Sequence, residues 1–262
     1  MLDRITPVVL TRDEEPNIAR TLAQLAWAGE VVVVDSYSKD ATIRISSGFP
    51  NVRVLQREID SIAGQSNYGV ANARRPWVLL LDADYFVPGD LVDELRQLDP
   101  PGDVRGYRGR FRYAIDGRPL RASLYPPRIV LFDRARVRIW QDGHTPRIAV
   151  DGGVSDLSAP IIHDDRKSFA CFIQRQRRYM QQEADKLAAA PPASLNLPAR
   201  IRRWVVVAPF AVLIHTLFVK GVILDGRAGL RYAWERFLAE MILSRELAFR
   251  LLTRTRRHRP AG

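Results

Sequence analysis

The chain has 262 residues, 47% hydrophobic and 26% charged, enough for one large core or a core with a small appendage, and too apolar for a disordered chain. Its formal charge of +11 is uneven: residues 1–100 carry 10 basic and 15 acidic groups, 101–200 carry 18 and 10, and 201–262 carry 12 and 4. That split argues against a uniformly basic nucleic-acid coat. The single Cys171 excludes a disulfide framework and disfavours a thiolate metal site.

The opening MLDRITPVVLTRDEE turns charged too soon for a secretory signal, so a cytoplasmic location is expected. Val8-Val9-Leu10 reads as a buried strand ending at Thr11-Arg12-Asp13-Glu14-Glu15, and Pro16 suits the first turn of a helix carried by Ile18, Leu22 and Leu25. Val31–Val34 is a β-branched run that predicts a central strand, stopping at Asp35-Ser36, with a short helix from Ser38-Lys39-Asp40 to Ile45. Val52–Leu55 is a third strand, followed by a helix over 64–73. Trp77–Leu81 is a fourth strand, and Asp90 is placed to cap a helix over Leu91–Leu98. Apolar strands alternating with helices predict a parallel α/β sheet covered on both faces, with ligands beyond the strands' carboxyl ends.

From Pro100 to Pro160 the alternation of Tyr107 to Tyr113, the hairpin signal Asp116-Gly117 and the apolar run Ile129–Phe132 predict antiparallel strands extending the sheet, then a long loop rich in Gly and Asp. Residues 166–189 read as helix, ending before Pro191-Pro192, a linker that divides a domain over 1–190 from a basic helical extension over 191–262. Trp204 to Leu224 is apolar but interrupted by Pro209, His215 and Lys220. A bilayer span needs roughly 20 mainly apolar residues, so this stretch is expected to lie in an interface or to re-enter it. A final helix over 228–252 leads into Arg254, Arg256, Arg257 and Arg259. The arginines flanking the apolar stretch suit peripheral contact with an anionic membrane, with a solvated charged face as the plainer alternative.

The sharpest local feature is Leu81-Asp82-Ala83-Asp84. Two carboxylates at i and i+2 leaving a strand project to one side and can share a hard cation that also bridges phosphates; such pairs also serve as turn formers. Asp35, at the end of its strand, can accept from a base or ribose, or form a plain turn with Ser36. No glycine-rich phosphate loop follows the first strand, which counts against a dinucleotide oxidoreductase and an ATPase.

Taken in order, Thr11-Arg12-Asp13-Glu14-Glu15-Pro16-Asn17-Ile18, Val33-Val34-Asp35-Ser36-Tyr37-Ser38-Lys39-Asp40-Ala41-Thr42, Gln65-Ser66-Asn67-Tyr68-Gly69 and Leu81-Asp82-Ala83-Asp84 resemble the glycosyltransferase family 2 pattern. The chain looks most similar to the bacterial members related to lipopolysaccharide-core glycosyltransferases, which share a downstream His near acidic residues, here Ile162-His163-Asp164-Asp165-Arg166-Lys167. The resemblance implies a GT-A fold, a Rossmann-like mixed sheet with a C-terminal helical extension. It also implies a metal-dependent, inverting enzyme that moves a sugar from a nucleotide-diphosphate donor to a lipid-linked or cell-envelope glycan at the inner face of the membrane.

Carried over residue by residue, it places Thr11, Asp13, Glu14, Gln65 and Asn67 in the nucleotide pocket and Asp35 on the base or ribose. Asp84 becomes the direct ligand of Mg²⁺ or Mn²⁺, with Asp82 nearer the ribose and His163 a further ligand. Arg128 and Arg166 share the diphosphate charge. Relatives carry a His-Glu pair where this chain reads Gly143-His144-Thr145-Pro146, so the candidates for the general base are Asp164, Asp165, His144 and Asp142. The missing Glu also leaves open a non-catalytic protein that binds a nucleotide or a membrane surface on the same fold.

Overall fold

The structure is a computed structural model that describes residues 1–143, 145–191, 193 and 195–257, the last seven of these by backbone alone. The chain forms two compact units, one of Met1–Pro119 with Leu124–Lys167, the other of Leu120–Ser123 with the chain from Ser168 onward. The second unit therefore begins before the helix that the sequence reading assigned to a domain over 1–190.

In the first unit, β1 (Ile5–Thr11), β2 (Val31–Asp35), β3 (Val52–Gln56) and β4 (Trp77–Asp82) pair parallel in the order β4-β1-β2-β3. Their continuous apolar runs are buried on both faces; β2 has no accessible residue. One face packs on α1 (Glu15–Ala23), which starts with Pro16 in its first turn and buries Ile18 and Leu22. The other packs on α3 (Ile62–Asn72), capped by Ser61, whose hydroxyl accepts from Gly64 N at 2.9 Å. Between them in the chain comes α2 (Thr42–Ser46), one turn past its expected start, because Asp40 accepts from the Thr42 N–H at 3.0 Å and holds the preceding residues as a turn. After β4 come β5 (Tyr85–Phe86) and α4 (Gly89–Gln97). Asp90 lies inside the first turn of α4, and Pro88 takes the cap position.

β6 (Val104–Gly109), β7 (Phe111–Ile115), β8 (Arg118–Pro119) and β9 (Arg128–Asp133) follow. As expected, antiparallel strands extend the sheet: β9 pairs with β4 and β6 in that sense. Asp116-Gly117 turns the β7–β8 hairpin with φ of 50° and 80°. The long loop expected next is instead ordered as β10 (Val137–Asp142), β11 (Thr145–Val150), β12 (Gly153–Asp156) and β13 (Ile161–His163). Gly and Asp crowd the turns and mask a period of two, in which Val137 and Ile139 on β10 face Val150 and Ile148 on β11 and pack in the α3-side core. The main sheet reads β12-β6-β9-β4-β1-β2-β3, mixed rather than parallel throughout, and a smaller sheet reads β5-β13-β7-β8.

The second unit is helical: α5 (Phe169–Ala189), α6 (Leu197–Arg202), α7 (Val207–Ile214) and α8 (Gly226–Arg257). Met180, Ala184 and Leu187 of α5 pack on Leu243 and Leu247 of α8. The mixed α/β sheet with a helical C-terminal part is the architecture that the sequence implied.

Candidate active site

The parallel register places Thr11 beside Asp35 and Leu10 beside Asp82, so three neighbouring strands end together with polar side chains. Asp35 is fully buried; one oxygen accepts from Thr11 Oγ1 at 3.0 Å and from Ser38 Oγ, the other from Ser38 N at 2.8 Å. The β1–α1 and β2–α2 loops are stitched to each other. Asp13 N donates to Ser38 Oγ, Lys39 N to Asp13 Oδ1, and Glu14 N to Thr42 Oγ1, all at 2.7–2.8 Å. Asp13 and Tyr37 both have positive φ, 52° and 54°. That conformation leaves the Tyr37 ring half exposed at the end of β2, two residues from Asp35. The sequence reading passed over Tyr37; its signal was an aromatic set between two loop-forming polar residues.

The acidic pair after β4 divides by depth. Asp82 is 41% exposed and its Oδ2 meets Arg128 Nη2 at 3.2 Å, while Asp84 is 10% exposed and its Oδ2 meets His163 Nε2 at 3.1 Å. Thr21 of α1 pins the intervening turn by donating to the carbonyl of Ala83 at 2.6 Å. β13 brings His163 opposite Tyr85 on β5, and Asp164 N donates to the Asp84 carbonyl at 3.0 Å. The His163 ring lies 4.6 Å from that of Tyr113 and 5.2 Å from those of Tyr85 and Tyr125. The guanidinium of Arg128 sits over the rings of Tyr85, Phe111 and Tyr125 at 5.3–5.5 Å. Burial opposes its charge, but the phenol oxygens of Tyr85 and Tyr125 and the Asp82 carboxylate outweigh that and raise its pKa. Arg128 is thus a fixed cation beside the acidic pair.

Among the described residues no three His, Cys, Asp or Glu side chains cluster as a complete metal cage. A hard cation that finishes its shell with phosphate oxygens and water needs only one or two protein donors. Asp84 and His163 supply two side by side, so the donor set fits such an ion, whereas Asp82 is committed to Arg128.

A second knot centres on Asn17, which is fully buried. Its amide donates to Glu14 Oε2 at 2.8 Å and to Asp165 Oδ1 at 3.1 Å, and its carbonyl accepts from Arg166 N at 2.9 Å. Lys167 Nζ pairs with Glu14 at 2.6 Å. Glu14 is pushed up to about 7, first by burial and then by the charge of Asp84, against the pull of Lys167 and Asn17.

Asp164, a candidate base, has another role here. Its buried carboxylate meets Arg20 at 2.5 Å and Arg166 at 2.7 Å, and accepts from Gly117 N at 3.3 Å. Burial would raise its pKa, but the bonds from Arg166 and Gly117 and the charge of Arg20 lower it, so Asp164 is an anchor and a poor proton acceptor. The same ion pairs turn Arg166 inward to Asp164. Arg20 carried no motif signal and was missed. Asp165 accepts from the Asn17 amide at 3.1 Å and from Lys167 N at 2.9 Å. Asp142 is ion-paired to Arg147 across the β10–β11 hairpin at 2.9 Å. His144 lies outside the described residues.

Gln65 and Asn67 do not line one pocket. Two positions apart on α3 they point about 200° apart. Gln65 Nε2 donates to the carbonyls of Arg57 and Glu58, both at 3.0 Å, and Asn67 Nδ2 donates to Ile139 O on β10 at 3.0 Å.

Residues 7–128 match the family model described as Glycosyl transferase family 2. The succinoglycan biosynthesis protein ExoO of Rhizobium meliloti (strain 1021) is 33% identical over 125 residues, 45% of this chain and 36% of that protein. The lipopolysaccharide core biosynthesis glycosyltransferase LpsC of the same organism is 26% identical over 110 residues, 40% of each. The chain thus spans well under half the length of these relatives. Among solved structures, S. aureus TarS 1–349 in complex with UDP aligns over 95% of this chain and 91% of that one, with 17% identity and a TM-score of 0.49.

Proposed function

We propose that the protein, whose residues 7–128 match the family 2 glycosyltransferase model, transfers a sugar from a nucleotide-diphosphate donor to a hydroxyl of a lipid-linked or cell-envelope glycan, at the cytoplasmic face of the membrane. The observation that carries this reading is the convergence of Thr11, Asp35, Asp82 and Asp84 at the ends of adjacent parallel strands, with Arg128 held charged beside them. Tyr37 offers a ring face on which a base can stack, next to the turn that Asp35 holds. The acceptor class is supported by the resemblance to a lipopolysaccharide core biosynthesis glycosyltransferase and a succinoglycan biosynthesis protein.

In the inverting form of the reaction the acceptor oxygen bonds to the anomeric carbon as the bond from that carbon to the diphosphate breaks. The acceptor proton passes to a carboxylate, for which Asp165 is better suited than Asp164. Negative charge grows on the diphosphate, and Arg128 faces it as a preorganised cation. Mg²⁺ or Mn²⁺, when bound through Asp84 and His163, would supply further charge neutralisation there.

Asp84→Ala should lower release of nucleoside diphosphate from the cognate nucleotide sugar by about 100-fold or more in the presence of Mn²⁺ or Mg²⁺. Full turnover in that variant, or in EDTA, overturns the metal-assisted mechanism. Nucleotide binding without transfer across a panel of donors and acceptors would instead favour the non-catalytic reading.

A further inference from the structure

The helical unit exposes large apolar side chains on α7, on the turns that flank it and on α8. Trp204 and Phe218 are more than 60% exposed, Leu224 is 67% exposed, and Val206 and Val219 exceed 70%. On α7, Phe210 meets Phe237 of α8 edge-on at 5.5 Å, and Phe237 stacks on Trp234 at 5.4 Å. The aromatic row therefore runs from one helix to the other, and Leu230, one turn before Trp234, prolongs it. Exposed apolar side chains in such number, drawn together on adjoining helices, mark a surface that meets a partner or a membrane.

The charges around the row have one sign. Between Leu197 and Arg250 the acidic residues are Asp225, Glu235, Glu240 and Glu246. Each is drawn inward and ion-paired: Asp225 with Arg121, Glu235 with Arg231, Glu240 with Arg202, and Glu246 with Arg250. Arg200, Arg203, Lys220 and Arg227 form no such ion pair among the described residues. Arg200 and Arg203 line one concavity with Leu195 and Trp204, two guanidinium groups beside an indole.

The backbone turns sharply in the middle of the apolar stretch. No single helix among the described residues is long and apolar enough to cross a bilayer, and Val207–Val219 meets Val222–Arg250 at a bend of 70°. A π turn over His215–Val219 and a 3₁₀ turn over Val222–Asp225 make the corner, with Gly221 at φ 68°.

We propose that this face seats in an anionic phospholipid bilayer, with α7, the corner and the first half of α8 in the plane of the interface. Apolar side chains would enter the acyl boundary while Arg200, Arg203, Lys220 and Arg227 meet phosphate headgroups. A second copy of the chain fits less well, since it would set these cations against each other. The inference is independent of the donor chemistry and adds the surface by which the enzyme meets a lipid-linked acceptor.

The test is co-sedimentation of the full chain with vesicles of phosphatidylcholine, with and without phosphatidylglycerol. The protein should pellet with the anionic vesicles. Phe210→Asp with Phe218→Asp should reduce the bound fraction about tenfold or more, with unchanged donor turnover in detergent. Arg200→Glu with Arg203→Glu, a surface change that leaves the apolar row intact, should weaken binding to anionic vesicles alone. The proposal is overturned by equal binding of the Phe variant, by equal binding to neutral vesicles, or by a lipid-free dimer whose formation buries Trp204.

Discussion

Glu14 shows how one carboxyl reports its surroundings. Burial carries it from an ordinary value of 4.5 to about 7, and Asp84's charge adds to the rise. A carboxyl with its folded pKa above the unfolded one contributes stability that is full below about 4.5 and is lost as pH rises through about 7. Asp84→Asn removes the second cause, so the Glu14 midpoint should fall in a carboxylate NMR titration; an unchanged midpoint would show that the two charges do not interact. Residue identities at the strand ends were legible in the sequence because loops between parallel strands concentrate polar side chains at one edge. The wiring was not. Asn17 bonds Asp165 across 148 positions, Arg20 reaches Asp164 across 144, and no local pattern encodes a contact of that separation. For the same reason Asp164 reads as a free acid in the sequence and stands between two arginines in the fold.

At the scale of the element, α3 lies close on the sheet. A Cβ at Gly69 would come within 2.4 Å of a Val8 methyl and 3.0 Å of one on Val34, so the absent side chain sets the helix-to-sheet distance. Alanine there gains helix propensity of about 1 kcal/mol but overpacks at a cost of about 1–3 kcal/mol. Gly69→Ala should therefore lower the midpoint of thermal unfolding followed by circular dichroism. An equal or higher midpoint would mean that the helix can shift outward freely. Elements with one dominant signal were legible: the valine run of β2, Pro16 at the start of α1, Asp116-Gly117 between β7 and β8. β10 and β11 were not, since their turns are rich in Gly and Asp and only half of each strand faces the core. The apolar 204–224 stretch was readable as interrupted from its Pro, His and Lys, but its corner depends on a glycine at positive φ that composition does not reveal.

Over the whole molecule, charge and chemistry separate along the chain. The acidic groups of the first hundred residues include Asp13, Glu14, Asp35, Asp82 and Asp84 at the strand ends, and beyond residue 200 Arg203, Lys220 and Arg227 stand beside the helices that carry the exposed apolar side chains. Screening acts on exposed charge far more than on buried pairs, with a Debye length of about 10 Å at 0.1 M salt and about 3 Å at 1 M. Raising salt across that range should strip much of the chain from anionic vesicles, which a sedimentation series measures; salt-indifferent binding would assign the attachment to apolar contact alone. The overall α/β class and the helical tail were visible from periodicity, whereas the division after Lys167 was not, because a helix beginning at Phe169 carries no composition change to mark it. The three non-glycine residues at positive φ, Asp13, Tyr37 and Asp116, have a further consequence for the molecule. Each holds a conformation that costs of order 1–3 kcal/mol, least for aspartate and most for a bulky ring. All three stand in loops that converge on the carboxylates of the site. The core beneath them therefore supports more stability than the native state displays, and the difference is stored as strain at the rim where the donor would bind.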